Sequence, residues 1–342
     1  MKLLLKITWM LINSAAAFQL AVAAEQDQKT EALSITVSKP IYMSGYTQVR
    51  YQFCQDKNDG FDVRRVRLSL KGKLGKQLGY RLQTEFGGSS PKLMDAELTF
   101  DLHSAAKLSV GQFIIPFSQE NLASNTKLEA INRSQVVEAL AARGKDVIGN
   151  QNGRDIGFQV SGSFVKTANG SLFDYALGIF NGSGINVTSD LNEEKDVAGR
   201  LIVHPFGHLS LGGSFYTGKY TLASVPDKTN ARDRIGAELS LSCSCFSLTS
   251  EYIKGTDGSI EKAGWYVQTG CFLISKKLQA ILKYDTYDPN VNQSDNAGTV
   301  YTVGVNLMFN DLSRLQINYE LKDEQGTDSE NDAFTAQLQF GF

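Results

Sequence analysis

The stretch Arg314-Leu-Gln-Ile-Asn-Tyr-Glu-Leu321 decides the fold. Leu315, Ile317, Tyr319 and Leu321 alternate with Arg314, Gln316, Asn318 and Glu320, a period of two that sorts the two sets onto opposite faces of a strand. One face is oily and the other carries full charges. The alternation recurs upstream. Leu78, Tyr80 and Leu82 oppose Arg81, Gln83 and Glu85; Ile235, Ala237, Leu239 and Leu241 oppose Arg234, Glu238 and Ser240; Leu278, Ala280, Leu282 and Tyr284 oppose Lys277, Gln279, Lys283 and Asp285. The chain closes on Phe334, Ala336, Leu338, Phe340 and Phe342 at the same spacing.

Working outward, strands are expected near 45–53, 62–72, 78–86, 93–101, 107–115, 154–166, 171–180, 196–204, 208–219, 231–242, 245–254, 262–273, 276–287, 298–309, 312–322 and 333–342, an even count of sixteen. Connections after odd-numbered strands, such as 116–153 and 181–195, are mostly long and rich in Asp, Asn, Gly and Ser. Those after even-numbered strands, such as Pro205-Phe206-Gly207 and Asn310-Asp311, are mostly short. Alternating loop length marks a transmembrane barrel with short periplasmic turns and long outer loops. Closure is forced, because every backbone N–H and C=O in hydrocarbon needs a partner and an open sheet edge has none. A soluble sandwich also alternates, but its strands are shorter and its apolar faces meet in a core. The expected fold class is therefore all-β, a 16-stranded antiparallel transmembrane β-barrel over 45–342 whose apolar face meets outer-membrane lipid.

The chain has 342 residues, 42% hydrophobic and 20% charged, with 31 Gly, 19 Phe, 13 Tyr and only 6 Pro. Its mean hydropathy of -0.20 excludes a bundle of membrane helices, and the aromatic content excludes disorder. A balance of 34 basic and 36 acidic residues argues against nucleic acid as a partner. At the start, Lys2 and Lys6 flank an apolar run that ends in Ala21-Val-Ala-Ala24 before Glu25. This is the pattern of a secretory signal peptide over 1–24, leaving 25–44 as an N-terminal periplasmic segment. Cys54, Cys243, Cys245 and Cys271 fit no metal motif and read as isolated thiols, although a Cys243–Cys245 pair at a tight turn is open. His103, His204 and His208 fall at strand ends with no evident nucleophile partner, so no catalytic residue, metal or cofactor is expected.

Sixteen strands enclose an aqueous channel. The long third loop, 116–153, holds a helix-compatible stretch from Thr126 to Ala142 and is expected to fold inward and constrict the pore. Its Lys127, Arg133, Arg143 and Lys145, followed by Arg154, suit an anion-attracting ring, against the alternative that they pair with Glu129, Glu138, Asp146 and Asp155. The inward strand face adds Arg50, Arg65, Arg67, Lys71, Arg81, Arg200, Arg232, Arg234, Lys283 and Arg314, mixed with Glu85, Asp95, Glu97, Asp174, Glu238, Glu251, Asp285 and Glu320. Clustering, not the total, would govern ion preference.

Val110-Gly-Gln-Phe-Ile-Ile-Pro-Phe-Ser-Gln-Glu120 resembles the segment before the third loop in the phosphate-selective porin O and P family. Phe180-Asn-Gly-Ser-Gly184, the strand 196–205 with Arg200, Gly264-Trp-Tyr-Val-Gln-Thr-Gly-Cys-Phe-Leu273 and Lys283-Tyr-Asp-Thr-Tyr-Asp-Pro-Asn290 resemble further pieces of it. The resemblance implies an outer-membrane porin of a Gram-negative bacterium, usually a homotrimer, passing small anions such as phosphate or polyphosphate through an arginine-lined pore. A general nutrient porin with little ion selectivity is the alternative. The terminal Phe342 resembles the signal read by outer-membrane assembly machinery.

Overall fold

The computed structural model describes residues 40–342 except 56, 104, 169, 188–189, 191, 223–224 and 327–329. The expected signal peptide, 1–24, lies outside the described residues, as does most of segment 25–44.

The alternating sequence forms sixteen strands: β1 Tyr42–Cys54, β2 Lys57–Leu74, β3 Leu78–Glu85, β4 Lys92–His103, β5 Ala106–Ile114, β6 Arg154–Thr167, β7 Gly170–Phe180, β8 Asp196–Phe206, β9 Leu209–Leu222, β10 Val225–Ser242, β11 Phe246–Asp257, β12 Ile260–Ile274, β13 Leu278–Asp288, β14 Gly298–Met308, β15 Arg314–Glu324 and β16 Ala333–Gly341. Each pairs antiparallel with its sequence neighbours, and β1 pairs with β16 to close the barrel. At the seam Tyr46 opposes Gly341 and Cys54 opposes Ala333.

Burial is inverted relative to a soluble protein. Leu82, Leu177, Ile179, Ile235, Leu282 and Val303 are exposed, whereas Gln48, Gln316, Gln337 and Gln339 are fully buried. Buried amides require partners, and here they find one another across strands. Gln48 Nε2 donates to Gln339 Oε1 at 2.8 Å. Gln337 donates to Gln316, Gln316 to Asn306 and Asn306 to Gln279, at 3.1, 3.1 and 2.9 Å. The result is an amide belt on the inner face of β13 to β16.

Three expectations change. The segments 54–61, 220–230 and 255–261, read as loops, are largely strand, because hairpins 1–2, 9–10 and 11–12 continue their ladders through polar residues. The stretch 126–142 is not one helix. The third loop instead holds two short ones, α1 Gln119–Leu122 and α2 Gln135–Leu140. Finally, β2 does not alternate strictly. Gln48 pairs with Arg65 and Val49 with Val63, so Arg64 is an extra residue, a β-bulge. Cys243, Cys245 and Cys271 carry free, exposed thiols.

Candidate functional site

The third loop is fastened to the polar face of the barrel along its length. At its start Ser118, in a left-handed conformation (φ 67°), accepts from Asn121 N at 3.1 Å and donates to Glu251 of β11 at 2.8 Å. Glu251 also accepts from the backbone N–H groups of Gln119 and Glu120. A wall carboxylate thus meets the exposed donors of α1, where negative charge is favoured. The pattern repeats at α2. Ser134 makes no side-chain cap; instead Asp285 of β13 accepts from Gln135 N at 2.8 Å, and Glu120 accepts from Ser134 N at 2.8 Å.

Between the helices, Leu128 O accepts from Arg314 at 2.7 Å, and Glu129 accepts from Ser247 and Gln279 at 2.6 and 2.7 Å. The buried face of α2, Val136, Val137, Ala139 and Leu140, packs with Phe113, Phe180, Ala198, Tyr216, Ile253 and Tyr266 of the wall. Those wall residues break the polar side of the alternation because a helix covers them. Gly264 is part of the fit: a Cβ there would lie 2.9 Å from the Val136 side chain.

Beyond α2 the loop is anchored by charge. Asp146, fully buried, accepts from Arg232 at 3.0 Å and from Ala142 N at 2.8 Å. Arg232 also donates to Tyr216 at 2.7 Å, and Arg234 donates to Asp257 at 2.6 Å. Burial pushes the Asp146 carboxyl up, but Arg232 and Arg234 outweigh it and hold it below the usual carboxylate value.

The basic residues read from the sequence divide by partner. Arg50 pairs with Asp62, Arg67 with Glu85, Arg81 and Arg154 with Asp95, Arg200 with Glu238, Arg232 with Asp146, and Arg234 with Asp257. Lys283 lies 3.3 Å from Glu120. Others have no carboxylate partner among the described residues. Arg65 donates to Gln48 at 2.9 Å. Arg133 donates to the carbonyls of Glu120 and Ala123 and to Asn125, at 3.0, 2.8 and 2.6 Å. Arg143 donates to the side chain and backbone of Asn121, at 2.7 and 2.9 Å. Arg314 bonds the Leu128 carbonyl. Lys145 is exposed.

Arg65, Arg133, Arg143 and Lys145 line one cavity of about 500 Å³ between the loop and the wall. Burial, then the neighbouring Arg133, pulls the Arg143 guanidinium well below its ordinary value; burial lowers Arg133 too, against the pull of Glu120 and Glu138. Arg50, Arg67, Arg81, Arg154, Arg200, Arg232, Arg234 and Arg314 stand apart from this cavity.

A further residue belongs to it. Arg64 lines the same cavity and donates to Ile131 O at 3.0 Å, to Asn132 Oδ1 at 2.9 Å and to Gln337 Oε1 at 3.1 Å. Strict alternation sends it to the apolar face, and so the sequence reading omits it. The signal is the spacing of Val63 and Val66, two apolar residues three apart in a strand whose period is two.

A family model described as phosphate-selective porin O and P matches residues 41–342. No curated protein matches the chain significantly. Among solved structures, the fold is similar to an anion-selective porin from Comamonas acidovorans, at 16% identity over 89% of this chain and 100% of that one, with a TM-score of 0.67. It is also similar to the trimer form of OmpT, an outer membrane protein of Vibrio cholerae, at 11% identity over 89% and 99% of the two chains (TM-score 0.64). The outer membrane channel DcaP of Acinetobacter baumannii shares 13% identity over 90% and 98% (TM-score 0.63). At such identities the likeness is one of fold.

Proposed function

The chain belongs to the phosphate-selective porin O and P family, and from that premise we propose that it is an anion-selective porin of the Gram-negative outer membrane, carrying phosphate or polyphosphate by passive diffusion. The observation that carries this reading is the cavity between the third loop and the wall, lined by seven basic and four acidic side chains. A surplus of fixed positive charge in a narrow aqueous passage raises the local concentration of anions and lowers that of cations. In this reading the third loop lies within the lumen and narrows it, and Arg65, Arg133, Arg143 and Lys145 act on solute. Arg232 and Arg234 hold the loop in place, while Arg50, Arg67, Arg81, Arg154, Arg200 and Arg314 contribute to the field of the wall.

The exposed apolar face supports contact with lipid. Trimeric assembly is supported by the trimer form of OmpT, and recognition of Phe342 by assembly machinery by its position at the closing seam. Family and fold together support a channel whose work is transport.

The test is the reversal potential of the purified protein in planar bilayers under a potassium chloride gradient, with and without inorganic phosphate. Anion preference and block of chloride current by phosphate are expected. Cation preference overturns the reading. Absence of any preference favours the general nutrient porin, which the seven carboxylate-paired arginines would suit.

A further inference from the structure

We propose that His204 is a pH-set charge at the periplasmic mouth, which raises the channel's anion preference in acid by changing protonation in place; the proposal rests on the porin reading above. The sequence leaves His204 at a strand end without a partner, and the neighbouring strands supply two. Its Nε2 lies 2.8 Å from Asp174 Oδ2 of β7 and its Nδ1 2.8 Å from Ser210 Oγ of β9. The other oxygen of Asp174 accepts from Ser163 of β6 at 2.5 Å. The four side chains make one relay across four strands, beside the short connections that follow β6 and β8. That end is opposite the one from which the third loop leaves β5, and its short turns mark it as periplasmic.

The relay serves both charge states of the imidazole. An ionised carboxylate only accepts, so Nε2 carries its proton throughout, whereas the Ser210 hydroxyl can donate to a bare Nδ1 or accept from Nδ1–H. Uptake of a proton therefore asks for a hydroxyl rotation and for no movement of heavy atoms. What changes is charge: beside a neutral His204 the Asp174 carboxylate stands uncompensated, and beside an imidazolium it is cancelled. Histidine ordinarily makes that change between about pH 5 and 8. The His204 and Asp174 side chains are 29% and 46% exposed, so the change is felt in the water of the mouth. The other charges facing the relay are fixed in pairs or placed across a gap. Arg200, on the same face of β8, donates to Glu238 of β10 at 3.1 Å. Asp101, His103 and Lys107 stand across a cavity of about 620 Å³, with Asp101 also paired to Lys73 at 3.1 Å. His103 is the rival titrating group, but its Nδ1 accepts from Ala105 N at 3.2 Å, a bond that protonation removes. A serine, a histidine and a carboxylate in line also serve hydrolases; here the cavity is lined by Ser163 and Asp174 and not by Ser210, so it offers the attacking hydroxyl no substrate.

Full-length protein in planar bilayers under a potassium chloride gradient, at about pH 5.5 and about pH 8, tests this with wild type, His204→Gln, Asp174→Asn and His103→Gln. The wild-type anion-to-cation permeability ratio is expected to be roughly twofold higher in acid, the effect of one partly screened unit charge at the mouth. Glutamine keeps a donor for Asp174 without titrating, so His204→Gln should remove that difference and hold the ratio at its alkaline value. Asp174→Asn should raise the alkaline ratio, and His103→Gln should behave as wild type. The proposal is overturned if His204→Gln keeps the wild-type response, if His103→Gln abolishes it, or if the wild-type ratio is the same at both pH values. It is also overturned if His204→Gln lowers single-channel conductance at alkaline pH, because the residue would then only brace the wall. A wild type that carries no current sinks the porin reading and this proposal with it; a conducting wild type whose pH response survives His204→Gln sinks this proposal alone.

Discussion

Arg64 and Arg232 are the same residue on the same side of one barrel, and their surroundings give them opposite work. Around Arg232 the charges close on themselves. Asp146 lies between Arg232 and Arg234, Asp257 takes Arg234 and Lys262, and the carboxylates and guanidiniums are almost wholly buried. Around Arg64 the charges stay open, held by neutral groups at the edge of a cavity. A closed network has a weak external field and a large penalty for losing one member, since the partner is then stranded in a dry site. An open patch has the reverse character. Removing one of its arginines should disturb ions more than it disturbs the fold.

The largest effect should follow from breaking the closed side. Asp146→Asn strands Arg232, which is 1% exposed, and is expected to cost about 3–5 kcal/mol, seen as a lower urea midpoint and easier heat modification on gels. Acid probes the same anchor without mutation. The Asp146 carboxyl sits below its ordinary value in the folded protein, so its stabilisation is present at neutral pH and lost as pH falls through the folded value. Conductance at acidic pH should become noisier as the loop loosens, and Asp146→Asn should remove that dependence; identical pH profiles in the two proteins would refute the anchor.

A step smaller is Gly264→Leu, which drives a side chain into Val136 and should cost about 1–3 kcal/mol through overpacking, with an altered single-channel conductance as α2 shifts. On the open side, Arg65→Gln should lower stability in urea by about 1.5 kcal/mol, less than Asp146→Asn, since it loses one hydrogen bond from the guanidinium to the Gln48 amide, while lowering anion preference measurably. A midpoint shift as large as that of Asp146→Asn would erase the contrast between the two regions. Smallest of all, Ala142→Gly should stabilise the loop by a few tenths of a kcal/mol, up to about 1. Ala142 holds a left-handed φ of 54° that glycine adopts without strain.

Much of this architecture was legible in the sequence. The period of two is a direct consequence of pleating, so the apolar residues of 278–284 and 315–321 disclosed both the strands and the face turned outward. What was hidden depends on pairing between segments. Whether Arg81 is free or tied to Asp95 is settled by the register of β3 against β4, and a single strand does not carry that information. Arg232 and Arg64 look alike in sequence because their partners, Asp146 and Asn132, lie far along the chain. The polar residues at 220–222 and 225–230 read as loop because polarity marks water and not backbone conformation, and a hairpin can keep its ladder beyond the apolar zone. The helical period between Thr126 and Ala142 was real only over Gln135–Leu140, where a buried face had a wall to pack against.

The seam between β1 and β16 sets the timing of assembly. Gly45 and Phe342 exchange both backbone hydrogen bonds at 3.0 Å, and the remaining partners of β1 along this edge come from 333–341. The first strand to be synthesised must wait for the last, so the ribosome's order confers no head start, and a chain stopped before Ala333 keeps an open edge that templates aggregation. Chains truncated before β16 should therefore fail as a whole and not in part, and the seam acts as a check that β1 and β16 are both present.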